Sequence, residues 1–377
     1  MAGLYIHVPF CASRCIYCDF YSQTNAQLKK DFVVALCREI ELLKDSLTEF
    51  APFSTVYFGG GTPSLLSIHE LATIIECLLS NVSILPSAEW TLEANPDDVR
   101  LDYAHGLKGL GVNRVSLGVQ SFSDRELAFL GRRHSGEQVY QAIDALRRES
   151  INNISVDLIY ALPNQTKEQW HKNVQNAINL EVPHISSYHL ICEENTPLYK
   201  LVDRGAIVLP KEEQGIEAYY YLIQELERVG FKHYEISNFA KEGYISCHNS
   251  AYWNRTPYFG LGPSAHSYIP ERRWSNVADL RSYIDRVGLN ELPKDFEERL
   301  SLKDQYNEWI MLGLRTREGI DTKLLQESLG QEYYTLLKRQ ATPFCQKGWL
   351  EWKGNYLQST SQGFIFVDGI IRDIFSL

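Results

Sequence analysis

No excess of basic residues marks this chain. Its 377 residues carry 37 lysines and arginines against 47 aspartates and glutamates, a formal net charge of -10. The electrostatic term that dominates nucleic-acid affinity is therefore missing, and no nucleic-acid partner is expected. Long apolar runs are missing too. The N-terminus, MAGLYIHVPFCASRC, has no basic stretch leading into an apolar segment, and no later run reaches the length a membrane-spanning helix requires. A cytoplasmic protein is the expectation. Cysteine is scarce: eight residues, unevenly placed, make no disulfide framework in a chain this long. Internal repeats and low-complexity tracts are absent as well.

What is present is a regular alternation. Short β-rich runs at Leu4–Val8, Thr55–Phe58, Glu89–Glu93, Arg114–Val119, Ser155–Tyr160, His184–Leu190 and Lys232–Ser237 alternate with amphipathic stretches such as 27–44, 68–79, 136–148, 168–180 and 212–229. That order implies an α/β fold: a parallel sheet with crossover helices, closed or partly closed into a barrel. In such folds the loops after the strand C-termini converge on one face, and chemistry gathers there.

After Arg286 the composition shifts. The stretch GLNELPKDFEERLSLKD is polar and charged, so residues 287–302 are expected to link a core of 1–286 to a smaller domain of 303–377. That last segment reads as three helices, a hairpin around Lys353-Gly354-Asn355 and a final helix, the order of a winged helix. Its nine basic residues are cancelled by nine acidic ones. Without a basic face, packing or lid duty is the better reading than DNA binding.

Three of the eight cysteines fall together as Cys11-x3-Cys15-x2-Cys18, directly after the first predicted strand. Three thiolates on one loop can hold a single metal centre. Iron–sulfur clusters usually take four cysteines, so three leave one iron open to another ligand. Spacing alone equally permits structural zinc with His7 as fourth ligand. Cys37, Cys77, Cys192 and Cys345 stand alone and read as small buried hydrophobes.

Other polar groups recur at strand ends. Gly59-Gly60-Gly61-Thr62-Pro63 ends the second strand, where glycines let a backbone edge approach a ligand or simply make a tight turn. Glu93, in TLEANP, offers a carboxylate to an ammonium or hydroxyl group, or else caps a helix. Gln120 follows in GVQSF, Arg132 in GRRH, and Asp157 lies in the otherwise apolar SVDLIY, where a buried carboxylate needs a partner. Taken singly, each has a structural explanation. Their common position at one barrel face makes a shared site the better reading.

The run Tyr5-Ile6-His7-Val8-Pro9-Phe10-Cys11-x3-Cys15-x-Tyr17-Cys18-Asp19-Phe20, with GGGTPS, EANP, GVQSF and DLIYALP, closely resembles the oxygen-independent coproporphyrinogen III oxidase-like family of radical S-adenosylmethionine (SAM) proteins. The resemblance spans nearly the whole chain. It implies a partial (β/α)6, TIM-like barrel with a smaller winged-helix-like α+β domain. It also implies a 4Fe-4S cluster on Cys11, Cys15 and Cys18, and SAM contacts from Tyr5, Gly60, Gly61, Thr62, Glu93, Gln120, Arg132 and Asp157.

Two branches of that family are distinguished here. Decarboxylating oxidases carry a further cysteine two residues after the third, and this chain has Phe20. The segment Cys247-His248-Asn249-Ser250-Ala251-Tyr252-Trp253 is similar to the HNxxYW element of the haem-chaperone branch. That resemblance implies haem binding, delivery to apo-haemoprotein clients, homodimerisation and transient contact with the inner face of the membrane. A neutral imidazole at His248 suits an axial ligand to haem iron, with Tyr252 and Trp253 flanking a porphyrin. From the residues alone, His248 can as well be a loop histidine beside core aromatics. Cys247 is a further thiolate beside it, and His189, at the end of a predicted strand, should face the barrel opening. The GLGPSAH turn at 260–266 is expected to shape the pocket.

Overall fold

A computed structural model describes residues 2–376 of the chain. Six strands run side by side, β1 (Ala2–Val8), β2 (Phe53–Gly60), β3 (Ile84–Ala94), β4 (Arg114–Gln120), β5 (Asn153–Tyr160) and β6 (His184–His189), each parallel to the next. Alternation within β1 shows how the layers are divided. Leu4, Ile6 and Val8 are fully buried in the main core, while Tyr5 between them lines an internal cavity. The crossover helices bury one stripe each: Leu71, Ile74, Ile75 and Leu78 are the buried positions of Ile68–Asn81. Capping boxes start three of these helices, at Ser67 with Glu70, Ser135 with Gln138 and Thr166 with Gln169. Each satisfies amide groups that the first turn would otherwise leave bare.

The sheet continues on both sides of the six. The single strand expected at 232–237 is a hairpin, β7 (Lys232–Glu235) and β8 (Asn238–Ala240), with β8 antiparallel to β6. Two residues separate its strands, too few for a crossover, so the pair must be antiparallel. β9 (Tyr258–Leu261) returns to the far side and runs parallel to β1. An antiparallel meander of β10 (His266–Ile269), β11 (Arg272–Asn276) and β12 (Lys294–Arg299) then completes an open twelve-stranded sheet.

The last of these strands lies inside the span expected to be a linker. Its charges mark an edge strand: Arg272 pairs with Glu297, and Arg273 with Glu298, across the ladder. Beyond it, helices Leu302–Gly313, Thr322–Leu329, Gln331–Gln346 and Val367–Ile374 surround a small sheet of β13 (Ile320–Asp321), β14 (Leu350–Lys353) and β15 (Tyr356–Ser359). Tyr306, Ile310, Leu325, Leu337, Leu357 and Ile370 belong to a hydrophobic cluster separate from the main one. The order helix, strand, two helices, hairpin, helix is the winged-helix-like arrangement expected there. Among the described residues no helix is long and apolar enough to cross a membrane.

Candidate functional site

The loop after β1 is closed at its neck by backbone bonds from Cys11 N to Gln23 O (2.9 Å) and Gln23 N to Pro9 O (2.8 Å). Its middle is tied to neighbours through Ile16, which donates to Leu130 O and accepts from Leu198 N. The three cysteines are free, half-buried thiols, and they line a cavity of about 430 Å³ at the C-terminal ends of the strands. Gly60, Gly61, Thr62, Glu93, Gln120, Arg132 and Asp157 line the same cavity, as does His189. Of the residues expected to contact the cluster, SAM or haem, Tyr5, the Cys247–Trp253 segment with His248, and the 260–266 turn lie elsewhere.

Backbone and side chains converge on the sulfurs. Thr62 Oγ1 donates to Cys11 Sγ at 3.5 Å, and Arg132 Nη1 to Cys15 Sγ at 3.6 Å; Arg132 Nη2 is held by Asn95 Oδ1 and Gly118 O. The glycine loop is backbone-dictated. Gly60 has φ of 105°, and a β-carbon there would stand 2.6 Å from the His7 ring; one on Gly61 would stand 2.7 Å from Phe10 O. Gln120 also sits in the left-handed region, with φ of 65°, where β4 slips register against β5. A non-glycine residue held there carries strain, a common mark of a ligand-contacting position.

Glu93 is not a helix cap. Its carboxylate accepts from Tyr57 Oη at 2.7 Å and from Gly60 N at 3.2 Å, which pins the glycine loop to β3. Burial pushes its carboxyl up to about 7, despite the Tyr57 bond that favours the anion. Asp157 has the partner its apolar strand demanded: Ser116 Oγ donates to it at 3.2 Å. Burial raises this carboxyl too. The Cys18 thiol is pushed up to about 11, first by burial and then by the neighbouring thiols. Thiols in that state exchange protons for metal on binding.

His7 is no metal ligand. Its Nε2 bonds Tyr21 O at 2.9 Å and its Nδ1 bonds Tyr5 Oη at 3.1 Å, so it holds the cysteine loop instead. Among the described residues, no three His, Cys, Asp or Glu side chains converge closely enough to hold a single ion. Three thiols on one loop, a roomy cavity beyond them and an Arg132 Nε buried without a partner fit a polynuclear iron–sulfur centre with a polar ligand on its open iron. Tyr17 and Asn95, which sequence reasoning left unassigned, also line this cavity. Tyr17 was readable from its place between two cysteines; Asn95 depends on where EANP turns.

His248 occupies the opposite end of the barrel. The helix Cys247–Trp253 sits under the strand N-termini, where Glu89 accepts from Cys247 N and His248 N at 3.0 Å each. The imidazole is 2 % exposed. Its Nδ1 bonds Thr55 Oγ1 at 2.8 Å, its Nε2 bonds Tyr252 Oη at 2.9 Å, and its ring stacks on Tyr57 at 4.9 Å. Burial depresses its pKa to about 3, so it is neutral, as expected, but both nitrogens are already engaged. Tyr5 faces the same second cavity, of about 240 Å³, and not the cysteine cavity. Cys247 is exposed, and the 260–266 turn lies off both cavities, where Gly262 N donates to the buried Glu39 at 2.7 Å.

Comparison with known proteins agrees with this geometry. The family model described as Radical SAM superfamily matches residues 5–177, and that of the HemN C-terminal domain matches 300–366. The chain is 37% identical to the protein named Heme chaperone HemW of Synechocystis, over 97% of this chain and 92% of that one. The chain belongs to the HemW family. The family's Bacillus subtilis member is 35% identical over 96% of both chains. Among solved structures, coproporphyrinogen III oxidase (HemN) from Escherichia coli superposes with a TM-score of 0.86, covering 100% of this chain and 90% of that one at 21% identity. That likeness establishes the fold, a radical SAM-type α/β barrel with a smaller C-terminal domain.

Proposed function

We propose that this protein is a haem chaperone of the radical SAM type, which binds haem and passes it to apo-haemoproteins. The observation that carries the reading is its near-full-length kinship with proteins named Heme chaperone HemW. In this proposal Cys11, Cys15 and Cys18 hold a 4Fe-4S cluster. Gly60, Gly61, Thr62, Glu93, Gln120, Arg132 and Asp157 surround SAM, whose bound form supplies a reducible sulfonium. The residues of the chain do the holding: Arg132 steadies a thiolate ligand, Glu93 offers an acceptor to a ligand ammonium or hydroxyl, and the glycine loop brings backbone amides close.

The alternative, decarboxylation of coproporphyrinogen III, is opposed by Phe20. This ring lies on the cavity wall, 65 % exposed, where the oxidase branch has its extra cysteine. His248 belongs to the haem proposal through likeness of sequence; to reach iron, its Nε2 must exchange Tyr252 for the metal. Residues 303–377 act as a packing or lid domain. Homodimerisation and work in the cytoplasm at the inner face of the membrane complete the reading. In the test, haem is titrated into reconstituted protein: a shifted Soret band that weakens in His248→Ala is expected. Carbon dioxide release from coproporphyrinogen III with SAM and reductant would overturn the chaperone reading in favour of the oxidase.

A further inference from the structure

The second cavity holds a guanidinium that no neighbour bonds. Arg114, the first residue of β4, is 3 % exposed and lines the 240 Å³ space between the cysteine cavity and the His248 helix. Its Nε has no hydrogen-bond partner, and among the described residues its guanidinium forms no ion pair. A buried guanidinium with unfilled donors is costly, and Glu93 and Asp157, whose charges it feels across the cavity, form no ion pair with it. Glu93 and Asp157 share the cavity and its field, but their direct bonds go to Tyr57, Gly60 N and Ser116. The nearby imidazoles are committed too: His184 to Ser155 and Tyr234, His248 to Thr55 and Tyr252.

The space is reachable from the cysteine side. Phe20, Glu93, Ser116, Asp157 and Tyr188 line both cavities, and the rings of Phe20 and Tyr188 are exposed. At about 240 Å³ it falls below the roughly 300 Å³ at which pockets begin to enclose drug-sized ligands. A porphyrin ring does not fit, but a carboxylate-bearing arm or a short acid does.

We propose that this cavity is a carboxylate seat, in which Arg114 pairs with the carboxylate of a ligand entering from the cysteine side. The carboxylate comes either from a propionate of haem, which rests on the function proposed above, or from a free short-chain acid. The seat also gives the HNxxYW helix a part in ligand binding that needs no iron bond, since His248 and Tyr252 form one wall of it.

The test uses the full-length, cluster-reconstituted protein with three probes: haem, haem dimethyl ester and succinate. With a propionate in the seat, the ester binds about tenfold more weakly than haem, the scale of one charged hydrogen-bonded pair. Arg114→Gln then lowers haem affinity to that of the ester and leaves the ester and the cluster absorbance unchanged. With a free acid in the seat, haem and ester bind alike and succinate binds the unaltered protein but not Arg114→Gln. Equal haem and ester affinities with no succinate binding overturn the seat. Absence of any haem binding beside Arg114-dependent succinate binding overturns the haem reading and leaves the seat standing. Should Arg114→Gln fail to fold, Arg114→Lys, which keeps the charge but not the planar fork, replaces it, and the ester comparison on the unaltered protein decides.

Discussion

The two ends of the barrel are built on opposite plans. At the cysteine end, loops carry half-buried thiols, three residues in left-handed backbone, Gly60, Gln120 and Gly131, and side chains held around an open space. At the His248 end, a short helix plugs the strand N-termini, and its imidazole is sealed by Thr55, Tyr252 and the Tyr57 ring. One end is arranged to receive something; the other is arranged to stay shut. The contrast matters because both ends carry motifs that, read as strings, promise a metal ligand. Environment separates them: a ligand needs a lone pair without a partner, and the sulfurs have that freedom where the His248 nitrogens do not.

The strongest way to break this contrast is at the cysteines. Replacing Cys11, Cys15 and Cys18 together with serine should abolish iron binding and the broad visible absorbance after anaerobic reconstitution, while far-ultraviolet circular dichroism stays unchanged. The loop is held at its neck by backbone bonds, not by sulfur, so the fold has no need of the thiols. Retained iron would dismantle the cluster assignment.

The opposite pattern is expected from His248→Ala. The change leaves Thr55 and Tyr252 without partners and opens a hole under Tyr57, a loss of about 2–4 kcal/mol by chemical denaturation, with the cluster intact. Unchanged stability with a weakened Soret band would mean that the imidazole serves iron alone, and the two ends would no longer differ in kind. Gly60→Ala should come next. Its forced left-handed backbone and the crowding against His7 cost about 1–3 kcal/mol. Because His7 holds Tyr21, the effect should reach the cysteine loop as slower cluster reconstitution.

Much of this was legible in the sequence, and unevenly so. The six-strand alternation and the mouth residues from Cys11 to Asp157 were readable because most lie at the C-terminal end of a strand or in the loop that follows it, and those ends in a parallel barrel share one face. Tyr5 lies within β1 and lines the second cavity, which adjoins the cysteine cavity through Glu93 and Asp157. The charged stretch at 294–299 resembled a linker because charges that pair across an edge ladder look, in one dimension, like solvated ones. Arg114 carried no signal at all. A basic residue heading an apolar strand says nothing of its neighbours until six other strands have placed theirs around it.

The smallest effect is also the sharpest probe of the open end, and it concerns pH. The Glu93 carboxyl is raised from 4.5 to about 7, with burial the main cause. Below about 4.5 the folded and unfolded chains both hold the proton, and Glu93 contributes no pH dependence. Between about 4.5 and 7 the unfolded chain ionises while the folded one stays protonated, so stability falls as pH rises; above 7 the loss is complete. Glu39 and Glu235 are raised to about 7 by burial as well, so the whole protein shows a composite slope. Comparison with Glu93→Gln isolates one carboxyl, because the amide never ionises and its single oxygen keeps the bond from Tyr57, with the weaker Gly60 N bond lost at all pH alike. The variant's stability, followed by denaturant titration from pH 5 to 8, should fall less steeply than the parent's by about one proton's worth of slope. Saturating SAM should flatten the parent in the same way, since a ligand cation at this carboxylate favours the ionised form. Identical slopes for parent and variant would mean that Glu93 titrates as if in water, and the cysteine end would then lack the desolvated carboxylate on which its reading as a cofactor site draws.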